Sequence, residues 1–279
     1  MAAKAAKGAK GSSLGFTRLA GENNVGTQGN WDLIGDSMHI LNVGLAPGET
    51  MATESGSMMF MGSSIEADVD CSDCLSRCFG GEACAMLNYT NRGAAPSYVA
   101  LTSAKPADIV ALDMDRYGGK ISARSGAYMS AVGDAVPGCE VDCNPLTCCF
   151  AGFGCVRQTI TGSGTAFVEA SGTVERKELA PGELFIIDSN SLVAWHGATL
   201  GVRTAGSCLA CCCNGEGCCN TTLLGPGTAW VQSMPWEQYR RQMGVVIEKD
   251  KGSKGATAIS FGTALAGRGG PAAPEMHRE

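Results

Sequence analysis

An internal repeat constrains this chain more than any other feature, because a repeated segment must bury its apolar face against its neighbours and so dictates the architecture. Laying Leu45–Met58 (LAPGETMATESGSM) over Leu179–Leu192 (LAPGELFIIDSNSL) matches about half the positions without a gap. A second ungapped pair sets Gly154–Val168 (GCVRQTITGSGTAFV) over Gly217–Val231 (GCCNTTLLGPGTAWV). A looser middle copy runs through Glu82-Ala-Cys84, Tyr98–Leu101, Lys105–Asp108 and, after an insertion, Ser125–Tyr128. Three units of about 60 to 75 residues follow, the size of a supersecondary repeat.

Local chemistry says what each unit contains. Met38–Val43, Ile109–Leu112, Thr165–Val168, Leu184–Ile187 and Thr228–Val231 are short apolar or alternating runs rich in branched and aromatic residues, which read as strands. Pro47-Gly48 and Pro181-Gly182 preset a chain reversal before the next strand. The aligned Gly56, Gly126 and Asn190 are residues that tolerate a left-handed backbone, so one bend is expected three times. Gly162 with Gly164, and Gly225 with Gly227, sit between two strand runs; a phosphate-binding loop would need a following helix, so these are hairpin glycines. The one expected helix is Pro235 to Met243, with Trp236, Tyr239 and Met243 on one face. The fold class is therefore all-β: three tandem short meander-like β units sharing one core, with one short C-terminal helix.

Composition bounds the function. The chain is 44% hydrophobic and 17% charged, apolar enough for a core. Its 21 Lys and Arg against 27 Asp and Glu give a net charge of −6, which argues against nucleic acid held on a broad basic surface. Residues 1–30, with Lys4, Lys7, Lys10 and Arg18, read as a flexible basic arm, 31–248 as the three-repeat β body and 249–279 as a disordered tail. Met1 to Gly15 lacks the apolar run of a secretory signal, and no uncharged apolar stretch reaches the roughly 18 residues of a membrane-spanning helix. The reading is a soluble intracellular protein without a direct membrane span. The arm is poor in arginine for a presequence, so the address is cytoplasmic or mitochondrial. In either place the 15 cysteines are expected as reduced thiols, and the sequons at Asn88 and Asn220 as ordinary strand and turn residues.

Cys71, Cys74 and Cys78; Cys139, Cys143, Cys148 and Cys149; and Cys208, Cys211, Cys212 and Cys213 each precede a strand carrying Cys84, Cys155 or Cys218. Those last three thiols, brought to one axis, would suit zinc or an iron–sulfur cluster. The bland reading is that reduced cysteine serves as a small buried apolar residue. His39, His196 and His277 are isolated, too sparse for a cupin-type metal site. Glu49, Glu54, Glu183 and Asp188 recur at matching places and point to turn hydrogen bonding. Gly11-Ser-Ser-Leu-Gly15 matches the nucleophile-elbow string without its strand and helix. No catalytic, cofactor-binding or metal residues are assigned, and no cofactor is expected.

Leu-x-Pro-Gly-Glu followed by Glu54-Ser-Gly56, then Gly80-Gly-Glu82, Gly162-Ser-Gly-Thr-Ala-Phe-Val168, Gly215-Glu-Gly217 and Leu224-Gly-Pro-Gly-Thr-Ala-Trp-Val-Gln232 together resemble the altered inheritance of mitochondria twenty-four family, or mitochondrial biogenesis domain, over about Trp31 to Met243. The resemblance implies three tandem pseudo-threefold β units, double-stranded β-helix-like and similar to the tryptophan RNA-binding attenuation protein (TRAP-like), and no known catalytic residues. For mitochondrial members it implies a role in organising the inner membrane. The expected function is a non-enzymatic scaffold with protein partners or a homo-oligomer and no nucleic acid. The alternative is a thiol-based metal or redox protein built on the cysteine clusters.

Overall fold

The structure is a computed structural model that describes residues 16–18, 23–26, 29–71, 85–204, 219–243, 245–247 and 259–261. The chain forms two compact units, Met1–Pro235 and Trp236–Glu279. In the second, the helix Trp236–Gln242 stacks Trp236 on Tyr239 with ring centroids 5.8 Å apart, the side-chain spacing expected one turn along a helix. The short strands Val245–Ile247 and Ile259–Phe261 pair there.

In the first unit the same six-strand pattern is laid down three times. The first strands are Ile40–Leu45, Asp108–Asp113 and Val174–Leu179; the second are Thr50–Glu54, Lys120–Ala123 and Leu184–Ile187. The third are Met58–Met61, Tyr128–Gly133 and Leu192–His196; the fourth are Ile65–Asp70, Val136–Val141 and Thr199–Thr204. The fifth are Met86–Asn91, Val156–Thr161 and Cys219–Leu224; the sixth are Ser97–Thr102, Gly164–Ala170 and Gly227–Gln232. Within every repeat the sixth strand lies antiparallel between the first and the third. The fifth lies antiparallel between the second and the fourth. Each repeat is thus two three-stranded half-sheets, and sheets are completed only by pairing the second strand of one repeat with the third strand of the next.

The half-sheets pack face to face in a row, with an apolar core in each gap. Leu41, Val43, Leu45, Val99 and Leu101 of the first sheet meet Met51, Tyr89, Ile109, Met129 and Phe167 of the next. Val110, Leu112, Tyr128 and Val168 on that sheet's other face meet Ile121, Ile160, Val193 and Trp230. Leu179, Leu192, Trp195 and Ala229 then meet Ile187 and Leu223. Period-two alternation explains the assignment: Ile109 and Val110, or Phe167 and Val168, are neighbours that point to opposite gaps. Sheets covered on both faces therefore have continuously buried strands, as in Tyr128–Val132. Ile40–Leu45, on the outermost sheet, alternates buried and half-buried.

Several expectations are corrected. The core is three clusters, one per gap, because stacked sheets cannot share a single interior. A second short helix, Pro145–Phe150, interrupts the second repeat, started by the Asn144 side chain accepting from Leu146 N–H and by Pro145 in the first turn. The looser middle copy runs across a boundary: Tyr98–Leu101 is the sixth strand of the first repeat, and the turn answering to Pro47-Gly48 is Tyr117-Gly118. Gly56 and Gly126 adopt left-handed φ of 91° and 72°. Asn190 does not, because it lies in a 3-10 turn capped by Asp188. Met38 precedes its strand, which starts at Ile40. Within the stretch read as an arm, Phe16–Arg18 pairs with Val174–Leu179 and Asn23–Gly26 with Gly29–Ile34.

Phe167 is fully buried and meets Trp31 edge to face at 5.1 Å. Phe167→Ala should cost about 3–5 kcal/mol in chemical denaturation, whereas Val69→Ala, on an exposed edge, should stay within about 0.5 kcal/mol.

Candidate functional site

Junctions between repeats are built by a fixed register. Thr53 lies opposite Ser130 and Ala52 opposite Ala131 at the first; Ala123 lies opposite Ala194 and Ser122 opposite Trp195 at the second. Side chains reinforce them: Thr53 Oγ1 donates to Met129 O at 3.1 Å, and Arg124 donates to Ser189 O at 2.6 Å and Asn190 Oδ1 at 3.0 Å. The buried imidazole of His39 accepts from Ile109 N–H at 3.3 Å, tying the first repeat to the second.

Three repeats linked this way complete two sheets and leave two halves over. Leu184–Ile187 terminates a three-stranded sheet, and Met58–Met61 terminates a five-stranded one. Both are apolar and uncharged, with Met58, Met59, Phe60 and Met61 exposed by 42%, 52%, 43% and 37% and Leu184 and Ile186 by 52% and 41%. Most other terminal strands of the first unit are protected in the usual way, by charge, although Asn23–Gly26 at the far end of the five-stranded sheet is uncharged. Ile65–Asp70 carries Glu66, Asp68 and Asp70; Asp108–Asp113 carries two aspartates; Val136–Val141 carries Glu140; and Thr199–Thr204 carries Arg203. The Met-Met-Phe-Met run was the sequence signal for this site, and strand reasoning alone passed over it.

Cys155 forms a disulfide with Cys148, which corrects the expectation of reduced thiols there. Cys71, Cys139, Cys143, Cys149 and Cys219 are free. Cys74, Cys78, Cys84, Cys208, Cys211, Cys212, Cys213 and Cys218 lie outside the described residues, so the Cys84, Cys155 and Cys218 trio is not assembled among them. The Gly11 to Gly15 string and His277 lie outside them as well. Among the described residues no three His, Cys, Asp or Glu side chains gather as metal ligands. His196 ends a third strand with Nδ1 2.9 Å from Lys120 O. It lines a small cavity with Lys120, Ser122 and Trp195.

Turn bonding accounts for three of the four recurring acids, Glu49, Glu183 and Asp188. Glu49 accepts from Ala46 N–H at 2.8 Å, Glu183 from Ala180 N–H at 2.9 Å, and Asp188 from Asn190 N–H at 3.3 Å. The Ala180 N–H, then the Lys177 ammonium 2.9 Å away, hold the Glu183 carboxyl below its ordinary range. Burial pushes Asp142 upward, but hydrogen bonds from Thr147 and Asn144 and the charge of Arg157 outweigh it and lower the net value.

Fold and site define a tandem β-repeat protein whose repeats are joined by strand pairing and in which, among the described residues, two end strands offer open apolar edges. The chain belongs to the family described as mitochondrial biogenesis AIM24, whose pattern matches residues 31–234. Among solved structures it is similar to the X-ray crystal structure of protein SPYM3_0169 from Streptococcus pyogenes, at 20% identity and a TM-score of 0.60, covering 77% of this chain and 97% of that one. At that identity the likeness shows the fold. No curated protein matches the sequence. No helix among the described residues is long and apolar enough to cross a membrane.

A folded carboxyl held below its unfolded value stabilises the fold above that value and loses the effect as pH falls through the folded one. Wild type should therefore melt above Glu183→Gln at neutral pH, with the gap closing as pH is lowered through the carboxylate range, read by thermal melts across pH.

Proposed function

We propose that the protein is a non-enzymatic β scaffold that acts through protein contacts at the two ends of its row of sheets, in mitochondrial organisation. One observation carries the reading: among the described residues of the first unit, Met58–Met61 and Leu184–Ile187 end their sheets as largely exposed, uncharged and wholly apolar strands, while most other sheet ends there carry charge. An open, flat, apolar edge has unpaired backbone donors and acceptors that another strand can satisfy. Family membership supports the mitochondrial setting.

A photo-reactive residue in place of Met59, in the full chain in its own cells, tests this. Covalent protein adducts are expected on irradiation, with none from the same probe in place of Val69 on the acidic edge. An absence of protein adducts at Met59 would overturn the scaffold reading.

A thiol-based reading is favoured by one observation, the Cys148–Cys155 disulfide in a segment that also holds free Cys139, Cys143 and Cys149. Thiol counting on unfolded protein should gain at least two groups on prior reduction. In Cys148→Ser/Cys155→Ser that gain should be smaller by two. A thiol role would further require that a property of the folded protein change with the bond.

A further inference from the structure

We infer that the Cys148–Cys155 bond is a redox-controlled catch. It holds residues 148–155 as a strap over one end of the third core, and a dithiol that reduces it frees the strap and loosens the second junction between repeats. The inference rests on the thiol-based reading and names the part of the fold that the bond controls.

The strap belongs to the second repeat, between the helix Pro145–Phe150 and the strand Val156–Thr161, yet its partners lie in the third. Ala151 is fully buried, and its carbonyl accepts from Thr221 Oγ1 at 2.8 Å. Thr221 spends its only hydroxyl proton there, so Ser189 Oγ is the donor in the 3.0 Å bond between the two hydroxyls. Gly152 passes so near Ser189 that a Cβ in its place would lie 2.6 Å from the Ser189 Cβ. Phe153 packs on Trp195 with ring centroids 5.3 Å apart, at the margin of the core of Leu179, Leu192 and Leu223. The Arg124 guanidinium sits 5.8 Å from the centre of the same Phe153 ring. Arg124 is the cation that crosses the second junction to Ser189 O and Asn190 Oδ1. One strap thus covers the end of a core and the side chain that joins two repeats.

Backbone bonding does little to hold the strap. Its Ala151 N–H closes the helix on Thr147 O at 3.1 Å, and beyond that Gly152 and Gly154 flank Phe153 with left-handed φ of 75° and 72°. Glycines restore many conformations to a chain that is released. A covalent link between residues seven apart removes that freedom. Reduction needs only the dithiol. Cys155 is exposed and Cys148 half-buried, so one thiolate of the dithiol attacks the Cys155 sulfur, and Cys148 leaves as a thiolate that takes up a proton. The second thiol of the reagent gives up its proton and displaces Cys155 from the mixed disulfide. Two electrons and two protons pass to the protein, and the dithiol ends as a cyclic disulfide.

Hydrogen–deuterium exchange on the full chain, with and without dithiothreitol as the dithiol, tests it. Peptide mapping of the same samples reports whether Cys148 and Cys155 are joined. After reduction the amides of 149–155 should exchange roughly tenfold faster or more. Those of Asn190 and Ser191 should move in the same direction, while Thr53 and Met129 at the first junction keep their rates. Cys148→Ser/Cys155→Ser should show the fast rates without dithiothreitol and gain nothing there from adding it. The wild-type comparison involves no substitution, so it decides the matter even where the variant folds poorly. Unchanged rates at 149–155 with the bond shown broken would overturn the inference and leave the bond itself standing. Equal acceleration at both junctions in the variant would overturn it too, since the bond would then support the fold at large. Unlinked Cys148 and Cys155 in protein isolated without reductant would remove the inference and the thiol-based reading together.

Discussion

Backbone pairing between the second strand of one repeat and the third strand of the next carries two consequences at once. It satisfies peptide groups that would otherwise face a neighbour unpaired, and it forces every full sheet to be shared between two repeats. A chain of three such repeats therefore completes two sheets and must finish in two halves. The open edges are a consequence of how the repeats are joined, and a further repeat would only move them along.

Sharing sheets also sets the packing. Sheets in the middle of the row are covered on both faces, so neighbouring residues such as Phe167 and Val168 each fill a different core. Junction positions are mostly small, Ala52, Thr53, Ser122, Ala123, Ser130, Ala131 and Ala194 among them, so that strands approach where two cores flank them. The corresponding strands at the open ends carry Phe60, Met61, Ile186 and Ile187, all of them large, of which Phe60, Met61 and Ile186 are partly exposed and Ile187 is buried. His39 and Arg124 bind across the formed junctions and keep consecutive repeats in register.

Much of the architecture was legible because its causes are local. Branched and aromatic runs marked Leu184–Ile187 and Thr165–Val168 as strands, and Pro47-Gly48 and Pro181-Gly182 marked reversals. The recurring glutamates were readable as turn acceptors, since Glu49 and Glu183 bond the amides three residues before them. Less legible was the helix Pro145–Phe150, whose Asn144-Pro145 start is a fair signal but whose body is two cysteines between apolar residues. Asn190 misled because its side chain and neighbours favour a capped 3-10 turn as readily as a left-handed bend. Cys148 and Cys155 meet because that helix turns the chain back on itself, which spacing alone does not reveal.

By itself the sequence determined that the chain is all-β, that it is built from three related units, and where most strands and turns fall, because propensity, alternation and turn chemistry act over a few residues. Only the tertiary structure decided where one repeat ends and the next begins, that the core is split into three layers, and that two apolar strands terminate their sheets. Those properties depend on which strand pairs with which, and pairing is made by backbone groups common to every residue, so side-chain identity leaves little trace of it.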